Sequence, residues 1–175
     1  RAGSYPYRLL MDVIYHGDRG QVEMQMRWDS TWHWYEVLFG VTLQNTPPNT
    51  WYKATTGEIS YGKWHHLAGV WTKGGSVKLY IDGIKTGETN VPNEFLGGSP
   101  TGTFPGLIGA YYSGSNYEKG YEGLIDQVRI YNRALSDQEV RLLAHEFGSV
   151  GVGGVATPVD KFGLLAPYVG LVSTI

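Results

Sequence analysis

Polar and apolar positions alternate along much of the chain. Residues 22–28 set Val22, Met24, Met26 and Trp28 on one side and Glu23, Gln25 and Arg27 on the other. Residues 77–81 set Val77, Leu79 and Ile81 against Lys78 and Tyr80. Period two belongs to a half-buried strand, because successive side chains point to opposite faces. Segments 7–15, 33–41, 64–72, 106–112 and 123–131 also read as strands. Asp82-Gly83 separates 77–81 from the strand pattern at 84–89. That pair predicts a two-residue hairpin, since a type I′ turn needs positive φ at both positions. One helix is predicted over 137–147. Ser136 is its N-cap, Glu139 completes a capping box, and Val140, Leu143, Ala144 and Phe147 share a face. Gln44–Thr50, Asn90–Pro105 and Ser113–Gly120 are rich in Gly, Pro and Asn and predict loops. Many strands and one helix predict an all-β, antiparallel sandwich or barrel.

Composition narrows the class. The 175 residues suffice for one domain with a sizeable core. Charged residues are 17% and aromatics 14%, too apolar and aromatic a mixture for a disordered chain. A net charge of −2 with no basic run argues against nucleic-acid binding through phosphate contacts. The absence of cysteine excludes disulfides, thiol catalysis and thiolate metal sites. The chain opens at Arg1 without a charged-then-apolar leader, which reads as a processed product or a fragment.

The last stretch differs from the rest, so the chain divides into a sandwich at 1–147 and a linker with an apolar tail at 148–175. Val150, Val152 and Val155 lie among glycines. Phe162, Leu164 and Leu165 begin an end without charge, after Asp160 and Lys161. Three destinations stay open: a final strand on the same domain, a strand donated to a neighbouring chain, or the start of a membrane anchor. Residues 162–175 fall short of the roughly 20 needed to span a bilayer, and Pro167 would interrupt a helix.

Three blocks carry a family resemblance. Gly62-Lys-Trp-His-His-Leu-Ala-Gly-Val-Trp71 is followed by Val77-Lys-Leu-Tyr-Ile-Asp-Gly83, then by Gly123-Leu-Ile-Asp-Gln-Val-Arg-Ile-Tyr-Asn-Arg-Ala-Leu-Ser136 with Glu139 after it. In this order and spacing they resemble the laminin G-like, concanavalin A-like jelly-roll family. The resemblance is strong over 62–147 and weaker over 5–61. It implies a jelly-roll sandwich with a short C-terminal helix. It also implies an extracellular or cell-surface, non-catalytic module for adhesion or recognition, binding glycans or protein partners. Two rivals stand beside it. One is a structural subunit of a self-assembling extracellular filament or surface layer, a homo-polymer in which the tail completes a neighbour's sandwich. The other is a carbohydrate-binding module of a larger enzyme. Family members usually carry strands upstream of the region matched by Tyr5–Tyr15. Their absence would leave an edge open to a further strand, with the tail as candidate, in cis or in trans.

Candidate sites follow from residue type. Asp126 shares a strand face with Leu124, Val128 and Ile130, which points it toward the core. A buried carboxylate needs hydrogen bonds, a partner charge or a metal. The resemblance implies that an Asp here can help hold a structural calcium ion, with the other usual ligands upstream; the alternative is hydrogen bonding to backbone, Arg129 or Trp64. His65 and His66 are adjacent and point to opposite faces, so they cannot share one metal, and each reads as packed or hydrogen-bonded. A retaining glycosidase needs two carboxyls about 5–5.5 Å apart. Glu122 and Asp126 are about 13 Å apart on a strand, too far for that role. No Gly-x-Ser-x-Gly motif or Ser-His-Asp order stands out. Aromatic rings stack on sugar faces and anchor protein interfaces. Trp32, Trp34, Tyr112 and Tyr117 are therefore the candidate ligand-binding residues; the alternative for Trp28 and its neighbours is the sandwich core.

Overall fold

The computed structural model describes residues 7–16, 19–29, 34–43, 50–60, 62–94, 107–112, 117–118, 121, 123–148 and 171–174. A first antiparallel meander runs through β1 (Tyr7–His16), β2 (Arg19–Asp29), β3 (Trp34–Leu43) and β4 (Thr50–Glu58). A second runs through β5 (His66–Trp71), β6 (Ser76–Ile81) and β7 (Ile84–Asn90). Short strands follow: β8 (Leu107–Ile108), β9 (Tyr111–Tyr112), β10 (Tyr117–Glu118) and β11 (Asp126–Arg129). Helix α1 (Asp137–Gly148) and β12 (Leu171–Thr174) complete the order. Among the described residues the strands form two five-stranded sheets, β4-β3-β2-β1-β8 and β11-β12-β5-β6-β7, and a β9-β10 ribbon. All the pairings are antiparallel. The chain is thus an all-β sandwich with one short helix.

The core lies between the two sheets. Val22, Met24 and Met26 from β2, Val37, Phe39, Val41 and Leu43 from β3, and Ala54 from β4 meet Leu67, Val77 and Leu79 from β5 and β6. Phe39 needs the space over Gly69: a Cβ there would sit 2.2 Å from the ring. The sheets also join along one side. Thr89 Oγ1 donates to the Lys53 carbonyl at 2.7 Å, and a Cβ on Gly87 would lie 2.3 Å from the Thr55 carbonyl oxygen.

A third layer covers the outer face of the second sheet. Ala68, Val70 and Tyr80 pack with Leu135 and Val140, and with Tyr131 and Leu143. The predicted capping box forms at the start of α1. The Glu139 N–H donates to Ser136 Oγ at 3.3 Å, and the Ser136 N–H donates to Glu139 Oε2 at 2.8 Å. The Arg133 guanidinium, first, and the Ser136 backbone hold the Glu139 carboxyl down to about 2. Tyr80 O–H donates to Asp137 at 2.7 Å, which pins the helix to β6; burial first, then this bond, pushes the tyrosine above its ordinary range. The Asp82-Gly83 turn has φ of 51° and 79°, as a type I′ turn requires.

Three strand expectations change. β4 starts at Thr50, beside a predicted loop, and was not expected; its inward residues Tyr52, Ala54 and Thr56 offer little aliphatic signal. The predicted strand 106–112 breaks at Gly109, φ 74°, into β8 and β9. Strand 123–131 shortens to β11, with an irregular register between Asp126 and Arg129. Of the tail, residues 171–174 form β12 in their own sandwich, between β11 and β5. Val150, Val152, Val155, Phe162, Leu164 and Leu165 lie outside the described residues. No helix among the described residues is long and apolar enough to cross a membrane.

Candidate functional site

Alternation that buries one face of the first sheet sets polar side chains on the other. The outward residues are Glu23 and Gln25 on β2, Glu36, Leu38, Gly40 and Thr42 on β3, and Trp51, Lys53 and Thr55 on β4. Register arranges them in rows across the strands. Glu23 lies opposite Gly40, which lies opposite Lys53. The next row is Gln25, Leu38 and Thr55, and the one beyond is Arg27, Glu36 and Glu58. This face is not a solvated surface: Glu23, Glu36 and Thr42 are buried. Gln25 Nε2 donates to the Glu23 carboxylate.

Gly40 makes a notch in the first row. The Trp51 indole fills it, and a Cβ on Gly40 would be 2.3 Å from Nε1. Lys53 Nζ stands 5.2 Å from the ring centroid, a cation–π contact. The indole N–H is buried and has no hydrogen-bond partner among the described residues. An unmade hydrogen bond of this kind costs about 1–3 kcal/mol. The face therefore holds a half-buried aromatic ring and a cation above it, with two carboxylates buried beside them.

The sequence-predicted ligand residues do not assemble here as a group. Trp32 lies outside the described residues. Trp34 opens β3, two positions before Glu36. Tyr112 and Tyr117 are paired across the β9-β10 ribbon. Tyr121, from the same tyrosine-rich stretch, packs half-buried against the core, and burial raises its hydroxyl above the ordinary range. Trp51, Gly40, Glu23 and Glu36 were missed, because pairing between strands, not spacing along one, brings them together.

Asp126 requires a correction. It is exposed, as are Leu124 at 70% and Ile130 at 45%; Ile125 and Val128 pack on the core instead. The reason is local. Gln127 has φ 51°, which breaks the alternation, and its N–H donates to Asp126 Oδ1 at 2.7 Å. The carboxylate caps a turn by a backbone hydrogen bond. Among the described residues no group of three or more His, Asp or Glu side chains is placed to hold a metal ion.

A Ser-His-Asp line absent from the sequence expectations is present at the start of β5. Ser60 Oγ is 2.9 Å from His65 Nε2, and His65 Nδ1 is 2.8 Å from Asp82 Oδ2. The order matches a nucleophile, base and orienting acid. The setting differs. The Ser60–His65 contact is exposed, and the Ser60 carbonyl oxygen also stands 3.1 Å from Nε2, beside the hydroxyl. Asp82 sits half-exposed in the hairpin turn and accepts the His66 N–H at 2.9 Å with its other oxygen. The ring is a brace tying Ser60 and the β6–β7 turn to β5. Asp82→Ala should lower stability by about 1–3 kcal/mol, measured by urea unfolding. A fluorophosphonate probe should leave Ser60 unlabelled.

With the two-sheet geometry established, the relatives can be placed. The laminin G-type model of the concanavalin A-like lectin/glucanases superfamily matches residues 5–141. The chain belongs to this superfamily. Membership fits an extracellular module at a coarse level. No curated protein matches the chain significantly. Among solved structures the superfamily member is similar to part of an S-layer domain-containing protein from Clostridium thermocellum, at 26% identity and a TM-score of 0.39. The match covers 82% of this chain and spans 65% of that one.

Proposed function

We propose that the chain is a non-catalytic extracellular recognition module that binds saccharide on the outer face of its first sheet, around Trp51. The carrying observation is the Trp51 indole, half-buried over the Gly40 notch with Lys53 Nζ 5.2 Å from its ring centroid. A sugar ring offers an apolar face for the half-buried indole and hydroxyls for the Lys53 ammonium, with Glu23 and Glu36 buried in the strands beneath. Superfamily membership supports the extracellular placement. Trp34, two positions before Glu36 along β3, stays a candidate ligand-binding residue.

Recognition without cleavage is the reading for the carboxylates. Glu23 and Glu36 are four positions and one strand apart, about 14 Å between Cα atoms, far outside the roughly 5–5.5 Å of a retaining pair. Glu36 and Glu58 hold directly opposite positions beside Arg27, so cleavage calls for a direct test. A glycan array should give at least one saccharide hit. Trp51→Ala should weaken the best hit at least tenfold by isothermal titration, with the circular dichroism unchanged. Binding unaffected by Trp51→Ala would move the site elsewhere. Reducing ends released by the wild type and abolished in Glu36→Gln would overturn the non-catalytic reading.

A further inference from the structure

β12 occupies an unusual place for its length. Its residues Leu171, Val172, Ser173 and Thr174 pair with Gly69, Ala68, Leu67 and His66 on one side. On the other, Val172 and Thr174 pair with Arg129 and Asp126. A strand of this size, last in the described order, thus fills an interior slot of the second sheet. The slot is not optional. Leu67 and Ala68 are 0% and 1% exposed, and without β12 the backbone donors and acceptors of β5 on that side lose their ladder.

The tether to this strand is long. Residues 149–170 separate it from α1, enough for roughly 70 Å of extended chain. That stretch holds Asp160 and Lys161 as its only charges, and residues 162–175 hold none. A second copy of the chain offers the same four residues to the same slot, with the same contacts. The sole difference between filling it from within and from outside is the effective concentration that the tether supplies, which falls as a tether lengthens. Exchange of an identical element is a low-cost route to association.

We propose that Leu171–Thr174 is an exchangeable strand, and that the slot between β5 and β11 accepts this segment from a second copy of the chain. Reciprocal exchange closes a dimer; one-way donation extends an open chain of subunits. This surface lies on the second sheet, apart from the saccharide face of the first, so either reading stands without the other.

The absence of cysteine makes the test clean. Ala68→Cys and Val172→Cys occupy opposed positions, as do Asp126→Cys and Thr174→Cys, the latter pair including an exposed site that tolerates change. Each single variant is refolded together with its opposite number at high concentration, oxidised, and run on a non-reducing gel. The expected result is a disulfide-linked heterodimer in both mixtures, lost when the proteins are mixed only after folding at low concentration. Cross-links that form within the double variants but never between chains overturn the proposal. Double variants that cross-link neither within nor between chains overturn it as well, since the slot would then not hold this strand.

Discussion

Gly69→Ala should be among the most damaging single substitutions in the chain. The added methyl would lie 2.2 Å from Phe39 Cδ2, and within 2.5 Å of two further ring atoms. Phe39 cannot retreat, because it is 2% exposed and packed between the sheets. Overpacking a filled core costs about 1–3 kcal/mol and sometimes more. Here the clash falls on an aromatic ring in the middle of the sandwich, so about 3 kcal/mol or more is expected. That is a large share of the roughly 5–15 kcal/mol that holds a typical domain. Urea unfolding should show the midpoint falling with little change in slope. Phe39→Leu should recover part of the loss when combined with Gly69→Ala, although alone it destabilises. Simple additivity of the two would mean that the ring and the glycine do not share this space.

The second large effect is an acid-side loss of stability centred on His66. The ring is 3% exposed, and its pKa is lowered to about 4. Burial is the main cause; Asp82 acts the other way and Arg129 adds to the lowering. The unfolded chain takes up this proton near pH 6.5, whereas the folded chain resists it down to about 4. In that window the unfolded state binds more protons, so stability falls as the pH falls from about 6.5 to 4. The contribution is fully present above 6.5 and amounts to no more than about 3 kcal/mol. Glu139 titrates lower, at about 2, and Glu88 and Asp137 are held below their ordinary values, so their losses come later in the descent. Denaturation midpoints between pH 7 and 4 should slope in the wild type. His66→Leu should flatten that slope, and an equal slope in the variant would place the acid sensitivity elsewhere.

Much of the scaffold is legible in the sequence where the signal is local. Asp82-Gly83 specifies its own turn, Ser136 and Glu139 specify a helix start, and the alternation at 22–28 and 77–81 marks two core strands. The misreadings share a physical cause: each depends on something that spacing along the chain does not carry. β4 buries Ala54 and Thr56, residues too small or too polar to announce an inward face. Asp126 follows an alternation that Gln127 breaks by adopting positive φ, a conformation its residue type does not advertise. Ser60, His65 and Asp82 meet because a loop folds back on a hairpin turn, and Trp51 reaches Gly40 because β4 pairs with β3 in one register. The candidate face is therefore a product of pairing, and it appears only once the strands are side by side.

That face is the centre of the functional account, and the Trp51 indole N–H is its most direct reporter. A nitrogen-15 spectrum resolves indole signals separately from the backbone, and Trp51→Phe identifies the one that matters. Titration with the best saccharide from the array should move the Trp51 indole signal furthest. The backbone signals of Glu23, Gly40, Thr42 and Lys53 should follow. Saturable binding that leaves the Trp51 indole and these neighbours unmoved, with shifts gathered at the β9-β10 ribbon or on the second sheet, would contradict the account.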